Sequence, residues 1–480
     1  MSSIDVRLRF GTDGWRAVIA EEFTFRHVRY CAQGVADYHV AQGLAADPVI
    51  VGYDTRFQSA EFADAVVEVL AGNGLRVIRC TAPAPTPVVG YNLVHYGAAG
   101  GVMITASHNP FNWNGFKYRG PSGGSPPPEV LTDLEAVIQR VQESGEVRSL
   151  DLATARDAGL VTDIDPAPEY IAHVARLVDL DALRAVGCHV AVDAMHGAGA
   201  GYLTALLSGG ATTVTEVRGN VNPAFPDMHN PEPIDRNLRP LRDAVLSSNA
   251  LVGVAMDGDA DRVGAIDGSG EYITALQVFG LLTYYLLEVR GFRGPLVKSL
   301  TTSNMVSRLG ERYGVPVHET SVGFKYIAPL MLETDALIGG EESGGFGFRG
   351  HIPERDGVLS ALFLLDLVAR KGVTLSTVID EIYGLVGPHH YDRLDVVFDA
   401  ANRPAVEGRL FDATPCDLAG APVVARATLD RQPKPPGGKG VKTRPPAPPN
   451  PPPGPPGGGG ARIGGGTPGG VWVLARGAVG

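Results

Sequence analysis

The sequence predicts an α/β protein: three similar α/β domains with mixed, mostly parallel sheets around a cleft, then a smaller, incomplete α+β domain and a disordered Pro/Gly-rich tail. Three observations carry this. Apolar β-prone runs alternate with helix-like stretches from about residue 48 to 385. The alternation comes in three rounds, each ending in a β-run that opens into a polar loop: TASHNP, DGDADR and GEESGG. Beyond 386 the rhythm stops, and from Arg431 the composition changes sharply.

The first round opens with PVIVGY (48–53), a strand, and SAEFADAVVEVLAGNG (59–74), a helix that ends at glycines. LRVIRC (75–80) is a strand and TPVVGYNLVHYG (86–97) a helix, followed by the buried strand GVMIT (101–105). CHVAVDA (188–194), GAGAGYLTALLSGG (197–210), TTVTEV (212–217) and ALVGVAM (250–256) form the second round. The third is GPLVKSL (294–300), SNMVSRLGERYG (303–314), VPVHET (315–320), GFKYIAPLMLE (323–333) and ALIGG (336–340). Three units that each offer one loop imply one shared cleft. HHYDRLDVVFD (389–399) reads as a strand opening a smaller unit. The expected boundaries are 1–150, 151–270, 271–385, 386–430 and 431–480. The last 50 residues hold 13 Pro and 15 Gly and no Asp or Glu. Such a tract buries too little apolar surface to offset its ordering entropy, so the tail is expected to be disordered.

Bulk properties narrow the function. At 480 residues and 44% hydrophobic, the chain is long enough for several cores. A net charge of −11 without a basic block argues against nucleic-acid or membrane partners. Cys31, Cys80, Cys188 and Cys416 are far apart, which fits free thiols in a reducing compartment. MSSIDVRLRFGTDG has no apolar signal core, so the expected location is cytoplasmic.

The chemistry lies in the loops. Ser107 follows the GVMIT strand, at the end of a sheet where ligands bind in α/β folds. Alone, SHNP reads as a capping turn. The loop MDGDADR changes that balance. It sets Asp257, Asp259 and Asp261 at alternate positions, so their carboxylates point to one side. Converging carboxylates need a cation, and an all-oxygen set suits Mg²⁺. An EF-hand would need its glutamate at position 268, which is Gly. Mg²⁺ takes phosphate oxygens readily, so a phosphorylated Ser107 would complete the site. His108 and Arg262 would neutralise the moving phosphoryl charge. Lys117 would be a general base if burial or cations lowered its pKa.

TASHNP, DGDADR and GEESGG, in this order and spacing, resemble the α-D-phosphohexomutases, the phosphoglucomutases and phosphomannomutases. FGTDGWR (10–16), SVGFKYI (321–327) and GHIPERDG (350–357) resemble the bacterial branch. The resemblance implies four domains around a cleft and a phosphoserine at Ser107. It implies Mg²⁺ held by Asp257, Asp259, Asp261 and the phosphate. Lys117 would be the base, with Arg16, His108 and Arg262 bordering the phosphoryl group. Glu341 and Ser343 would hold sugar hydroxyls, and Lys298 and Lys325 are candidate substrate contacts. The implied reaction interconverts hexose 1-phosphate and hexose 6-phosphate of glucose or mannose, with a hexose 1,6-bisphosphate as intermediate and activator. The third motif departs from that usual in the glucosamine-phosphate branch. The resemblance also implies a fourth-domain loop like RPSGTEP that grips the non-reacting phosphate. The Pro/Gly tract stands in that region, a composition that a frame shift in a GC-rich gene would produce.

Three rivals accompany this reading. GAGAG (197–201) with Glu216 partly matches a dinucleotide fingerprint, though a glycine turn that packs a helix on the sheet accounts for it as well. An Mg²⁺-dependent sugar phosphatase would use the same serine, metal and lysine. A catalytically impaired sugar-phosphate binder would follow from the missing loop.

Overall fold

The computed structural model describes residues 8–11 and 14–389, and beyond them only 402, 405–406, 408–409, 417–418 and 421–422. The chain divides into two units, Met1–Tyr391 and Asp392–Gly480.

The first unit holds three sheets. The first domain contains β1 (Trp15–Val18), α1 (Phe25–Ala41), β2 (Val49–Tyr53), α2 (Ser59–Gly72), β3 (Val77–Cys80), α3 (Thr86–His95), β4 (Gly100–Ile104), β5 (Trp113–Arg119), α4 (Pro128–Ser144), α5 (Leu152–Asp157) and β6 (Val161–Ile164). The second contains α6 (Ala167–Val174), α7 (Leu180–Ala185), β7 (His189–Asp193), α8 (Tyr202–Leu207), β8 (Thr213–Val217), α9 (Arg239–Ser248), β9 (Val252–Met256), β10 (Val263–Asp267) and β11 (Tyr272–Ile273). The third contains α10 (Ala275–Tyr284), which runs on into a π-helical turn over Tyr285–Val289, then β12 (Leu296–Ser299), α11 (Asn304–Tyr313), β13 (Val317–Thr320), α12 (Phe324–Thr334), β14 (Ile338–Gly340), β15 (Phe346–Phe348), α13 (Gly357–Lys371) and α14 (Leu375–Val386).

The sheet orders are β1-β5-β4-β2-β3-β6, β11-β10-β9-β7-β8 and β13-β12-β14-β15. Each contains the same motif. Three parallel strands run in the orders β3-β2-β4, β8-β7-β9 and β13-β12-β14, and an antiparallel strand returns beside the third. The three polar loops occupy one topological position, the connection from the third parallel strand to the returning strand. This explains why each round of the sequence ends in such a loop.

Local chemistry accounts for the elements. Val49–Tyr53 is buried at every residue, as expected for a strand covered on both faces. Thr274 and Gln277 form a capping box at the start of α10, and the Asp356 carboxylate accepts from Leu359 N–H to start α13. Two expectations shift. The first sheet extends past residue 150, because β6 pairs in parallel with β3 in the register Val77↔Val161. GAGAGYLTALLSGG is helical only over Tyr202–Leu207, and its glycines form the turn before the helix. The expected strand 389–399 lies outside the described residues apart from His389, and so does the tail 431–480. In the second unit, β16 (Asp417–Leu418) and β17 (Ala421–Pro422) pair antiparallel. Cys31, Cys80 and Cys188 are free, and Cys416 lies outside the described residues.

A buried ion pair ties the first domain to the third. Arg119 Nη1 on β5 lies 2.9 Å from Glu354 Oε2, and Ser125 Oγ donates to the same oxygen at 3.2 Å. Glu354→Ala removes the carboxylate facing a buried guanidinium. Its expected cost is about 3–5 kcal/mol, read as a lower denaturation midpoint. The double variant Arg119→Met/Glu354→Leu is expected to recover part of that loss, because the Arg119 guanidinium no longer stays buried without its partner, while Arg355 keeps Asp261.

Candidate active site

The β4–β5, β9–β10 and β14–β15 loops meet. Ser107, in the first, has φ +52°, a conformation that costs energy for a side-chain-bearing residue and therefore needs support. Its N–H donates to Thr105 Oγ1 at 2.8 Å. Its Oγ donates to Asp257 Oδ2 at 2.8 Å, across the boundary between two domains. His108 Nδ1 lies 3.5 Å from the same Oγ. Arg16, on β1, donates to Asn109 Oδ1 at 3.0 Å and so borders the serine loop.

In the second loop, carboxylate oxygens of Asp257, Asp259 and Asp261 lie within 4.8 Å of one another, and all three residues are buried. Lys117 on β5 reaches between them, with Nζ 2.8 Å from Asp259 Oδ2 and 3.6 Å from Asp261 Oδ2. Thr86 Oγ1 donates to Asp259 Oδ2 at 2.6 Å. Arg262 lies 3.9 Å from Asp257 and 3.7 Å from both Asp261 and Glu232.

These charges act unequally. Burial and the neighbouring Asp261 and Asp259 charges push the Asp257 carboxyl well above its ordinary range. Burial also raises Asp259, but Lys117 and Thr86 outweigh it and hold that carboxyl well below the ordinary range. Asp261 is raised by burial, against Arg355. Asp259 Oδ1 and Asp261 Oδ1 accept no hydrogen bond among the described residues, although both are buried. Buried oxygens of this kind, converging with a serine hydroxyl, fit a hard divalent cation such as Mg²⁺.

The third loop packs against the second. Gly344 has φ +88°, and a Cβ there would fall 2.8 Å from Val263 O, so only glycine fits. Val263 N–H donates to Gly344 O at 2.9 Å. Glu341 is buried and accepts from Gly323 N at 3.1 Å. Ser343 Oγ is buried without a hydrogen-bond partner among the described residues. Glu342 turns the other way and accepts from Ser299 Oγ at 3.1 Å.

Lys298 is buried on β12 and pairs with Glu319 across the strand at 2.8 Å, in register with Gly340, the residue before Glu341. Lys325 donates to Gly11 O at 3.4 Å, linking α12 to the amino-terminal FGTDG segment. Neither lysine touches the carboxylate cluster through these contacts.

Sequence reasoning missed Arg355. Its Nη2 is 2.8 Å from Asp261 Oδ2 and its Nη1 3.6 Å from Glu341 Oε2, so it joins the second loop to the third. GHIPERDG contained it, but nothing in that motif points to partners so far away in the chain. Thr86 was missed for the same reason. The glycine turn resolves differently from a dinucleotide site. Glu216 accepts from Gly201 N and Thr204 Oγ1 at the start of α8, so its carboxylate serves the helix. Gly197 lies against the DGDADR loop, where a Cβ would fall 2.8 Å from Gly258 O.

Family models of phosphoglucomutase/phosphomannomutase α/β/α domains I, II and III match residues 7–145, 168–270 and 275–385. A phosphoglucomutase/phosphomannomutase of Thermococcus kodakarensis is 32% identical over 410 residues, covering 84% of this chain and 88% of that one. The chain belongs to the phosphoglucomutase/phosphomannomutase family. This phosphohexomutase-family chain is also 32% identical over 379 residues to a phosphoglucosamine mutase of Desulforamulus reducens, covering 76% of this chain and 80% of that one. A crystal structure of a "putative phosphomannomutase" from Thermus thermophilus matches it with a TM-score of 0.75 at 38% identity, covering 81% of this chain and 86% of that one.

Burial pushes the Glu341 carboxyl of this phosphohexomutase-family chain up to about 7, with Arg355 opposing, from an ordinary 4.5. Between those values the folded state keeps a proton that the unfolded chain releases. Stability therefore falls as pH rises from about 4.5 to about 7 and levels off above, by an amount on the order of 3 kcal/mol. The denaturation midpoint of the wild type, compared with Glu341→Gln at pH 5 and pH 8, is expected to fall relative to the variant at the higher pH.

Proposed function

We propose that this phosphohexomutase-family chain interconverts hexose 1-phosphate and hexose 6-phosphate of glucose or mannose, through a phosphorylated Ser107 and a hexose 1,6-bisphosphate. The observation that carries this reading is the 2.8 Å contact from Ser107 Oγ to Asp257, inside a buried carboxylate cluster that also holds Lys117. A divalent metal held by Asp257, Asp259, Asp261 and the Ser107 oxygen would neutralise charge on the phosphoryl oxygens. Arg262, Arg16 and His108 add fixed positive or hydrogen-bonding groups at the edge of the same loop. Lys117 takes the proton of the incoming sugar hydroxyl as the phosphoryl group leaves Ser107. Glu341 and Ser343 read sugar hydroxyls, and the Ser343 hydroxyl, without a hydrogen-bond partner among the described residues, supports that role. Lys298 and Lys325 remain candidate contacts to the rest of the substrate. The sugar then turns over and returns its other phosphoryl group to Ser107, which restores the enzyme.

Related proteins carry mutase names, which does not favour the phosphatase or impaired-binder readings. A coupled assay on glucose 1-phosphate, mannose 1-phosphate and glucosamine 1-phosphate, with Mg²⁺ and catalytic glucose 1,6-bisphosphate, tests the reaction and ranks the substrates. Turnover of glucose or mannose phosphate is expected; release of inorganic phosphate alone would establish a phosphatase instead. Ser107→Ala is expected to lose the phosphate seen by intact mass and about 10³-fold or more of turnover. Lys117→Met is expected to lower kcat far more than it raises KM, because a base acts mainly in the transition state. A change confined to KM would assign Lys117 to substrate binding.

A further inference from the structure

We propose that Arg56 is the positioning residue that sets the aim of Ser107, by holding the serine loop through its carbonyl oxygens. The inference rests on Ser107 being the phosphoryl carrier, but its structural half stands without that. Arg56 follows β2, in the turn Asp54–Thr55–Arg56, and is 3% exposed. Its Nη2 donates to Ser107 O at 2.5 Å and to Asn109 O at 2.7 Å. Its Nη1 donates to Pro110 O at 2.8 Å and to Trp113 O at 3.0 Å. One guanidinium thus gathers four carbonyls from both ends of the β4–β5 loop.

The guanidinium is itself held. Its Nε lies 3.2 Å from Asp54 Oδ2, and the Phe225 ring covers it at 5.0 Å. Asp54 also accepts from Arg56 N–H, from Ser59 Oγ and, at 2.6 Å, from Thr105 Oγ1. Thr105 Oγ1 is the acceptor of the Ser107 N–H. Asp54, Arg56 and Thr105 therefore enclose the serine on both sides of its peptide unit. This supplies the support that a serine at φ +52° requires. The same carbonyl of Ser107 meets the metal loop, since a Cβ on Gly258 would fall 2.5 Å from it. Holding that carbonyl places the serine loop against the metal loop.

Only arginine meets this demand. Four acceptors in a fan suit a planar fork with five N–H donors. An ammonium has three donors on one point, so lysine leaves at least one carbonyl without a partner. The terminal nitrogens of Arg56 donate to loop carbonyls rather than to the cluster carboxylates, and Arg56→Lys keeps the positive charge that Asp259 and Asp257 feel, so that substitution acts through the loop.

The experiment is Arg56→Lys in the full chain, beside Thr105→Val and Thr105→Ser. Two readouts are taken: hydrogen exchange of the amides in 105–113, and steady-state kinetics with glucose 1-phosphate. Arg56→Lys is expected to speed exchange of the loop amides, Ser107 included, and to lower kcat by about 10²-fold, with KM within about threefold. Thr105→Val is expected to do the same in smaller measure, and Thr105→Ser to restore both readouts. If Arg56→Lys fails to fold, the Thr105 pair decides the matter: equal exchange and kcat in Thr105→Val and Thr105→Ser would overturn the proposal. Wild-type protection and turnover in Arg56→Lys, or a loss confined to KM, would also overturn it. A wild type with no turnover, but whose loop exchange responds to Arg56→Lys, would uphold the clamp and refute the mutase reading.

Discussion

Three buried carboxylates gathered within 4.8 Å repel one another, and the first unit is arranged around that repulsion. The first domain answers with Lys117, the second with Arg262 and the third with Arg355. Each cation comes from a different sheet or its adjoining loop, so the charge balance of the centre is also a link between domains. Removed from its neighbours, the second domain would hold the acidic loop with Arg262 as its adjoining cation. Buried charge costs several kcal/mol per ion unless it is paired, which ties local neutrality to domain packing.

The repeated motif makes this convergence possible. A polar loop at the same connection in three sheets gives three tools that face one another once the sheets pack. The first loop offers a hydroxyl, the second carboxylates, and the third a buried carboxylate and a second hydroxyl. The close contacts where the loops meet are made by glycines: Gly258 against Ser107 O, Gly197 against Gly258, and Gly344 against Val263 O. Side chains at these positions would push the loops apart by distances larger than a hydrogen bond tolerates.

Much of this was legible from the chain. The parallel strands read clearly because PVIVGY, GVMIT and ALVGVAM are apolar runs that stop abruptly at polar loops. The returning strands did not. WNGFKYR is almost wholly buried, yet it carries Asn114, Lys117 and Arg119, whose side chains reach Ser59, the carboxylate cluster and Glu354. Polar residues on a buried strand erase the pattern by which strands are recognised. The convergence of Asp257, Asp259 and Asp261 with Ser107 could be anticipated because alternation and adjacency are local signals. Arg56, Thr86 and Arg355 were hidden because YDTR, TP and PERD read as ordinary turns until partners far along the chain are in place. VTDI was missed as an edge strand for a related reason: its middle residues face solvent.

Arg355 shares one guanidinium between Asp261 of the second loop and Glu341 of the third. Its third face lies against Glu354, which also receives Arg119 from the first domain. The two halves of the site are therefore not separable modules. Any exchange of the third loop that alters the charge at position 341 also redistributes Arg355 and so reaches the three aspartates of the second loop. A change of charge at position 341 and a compensating change at Arg355 therefore belong together in this scaffold.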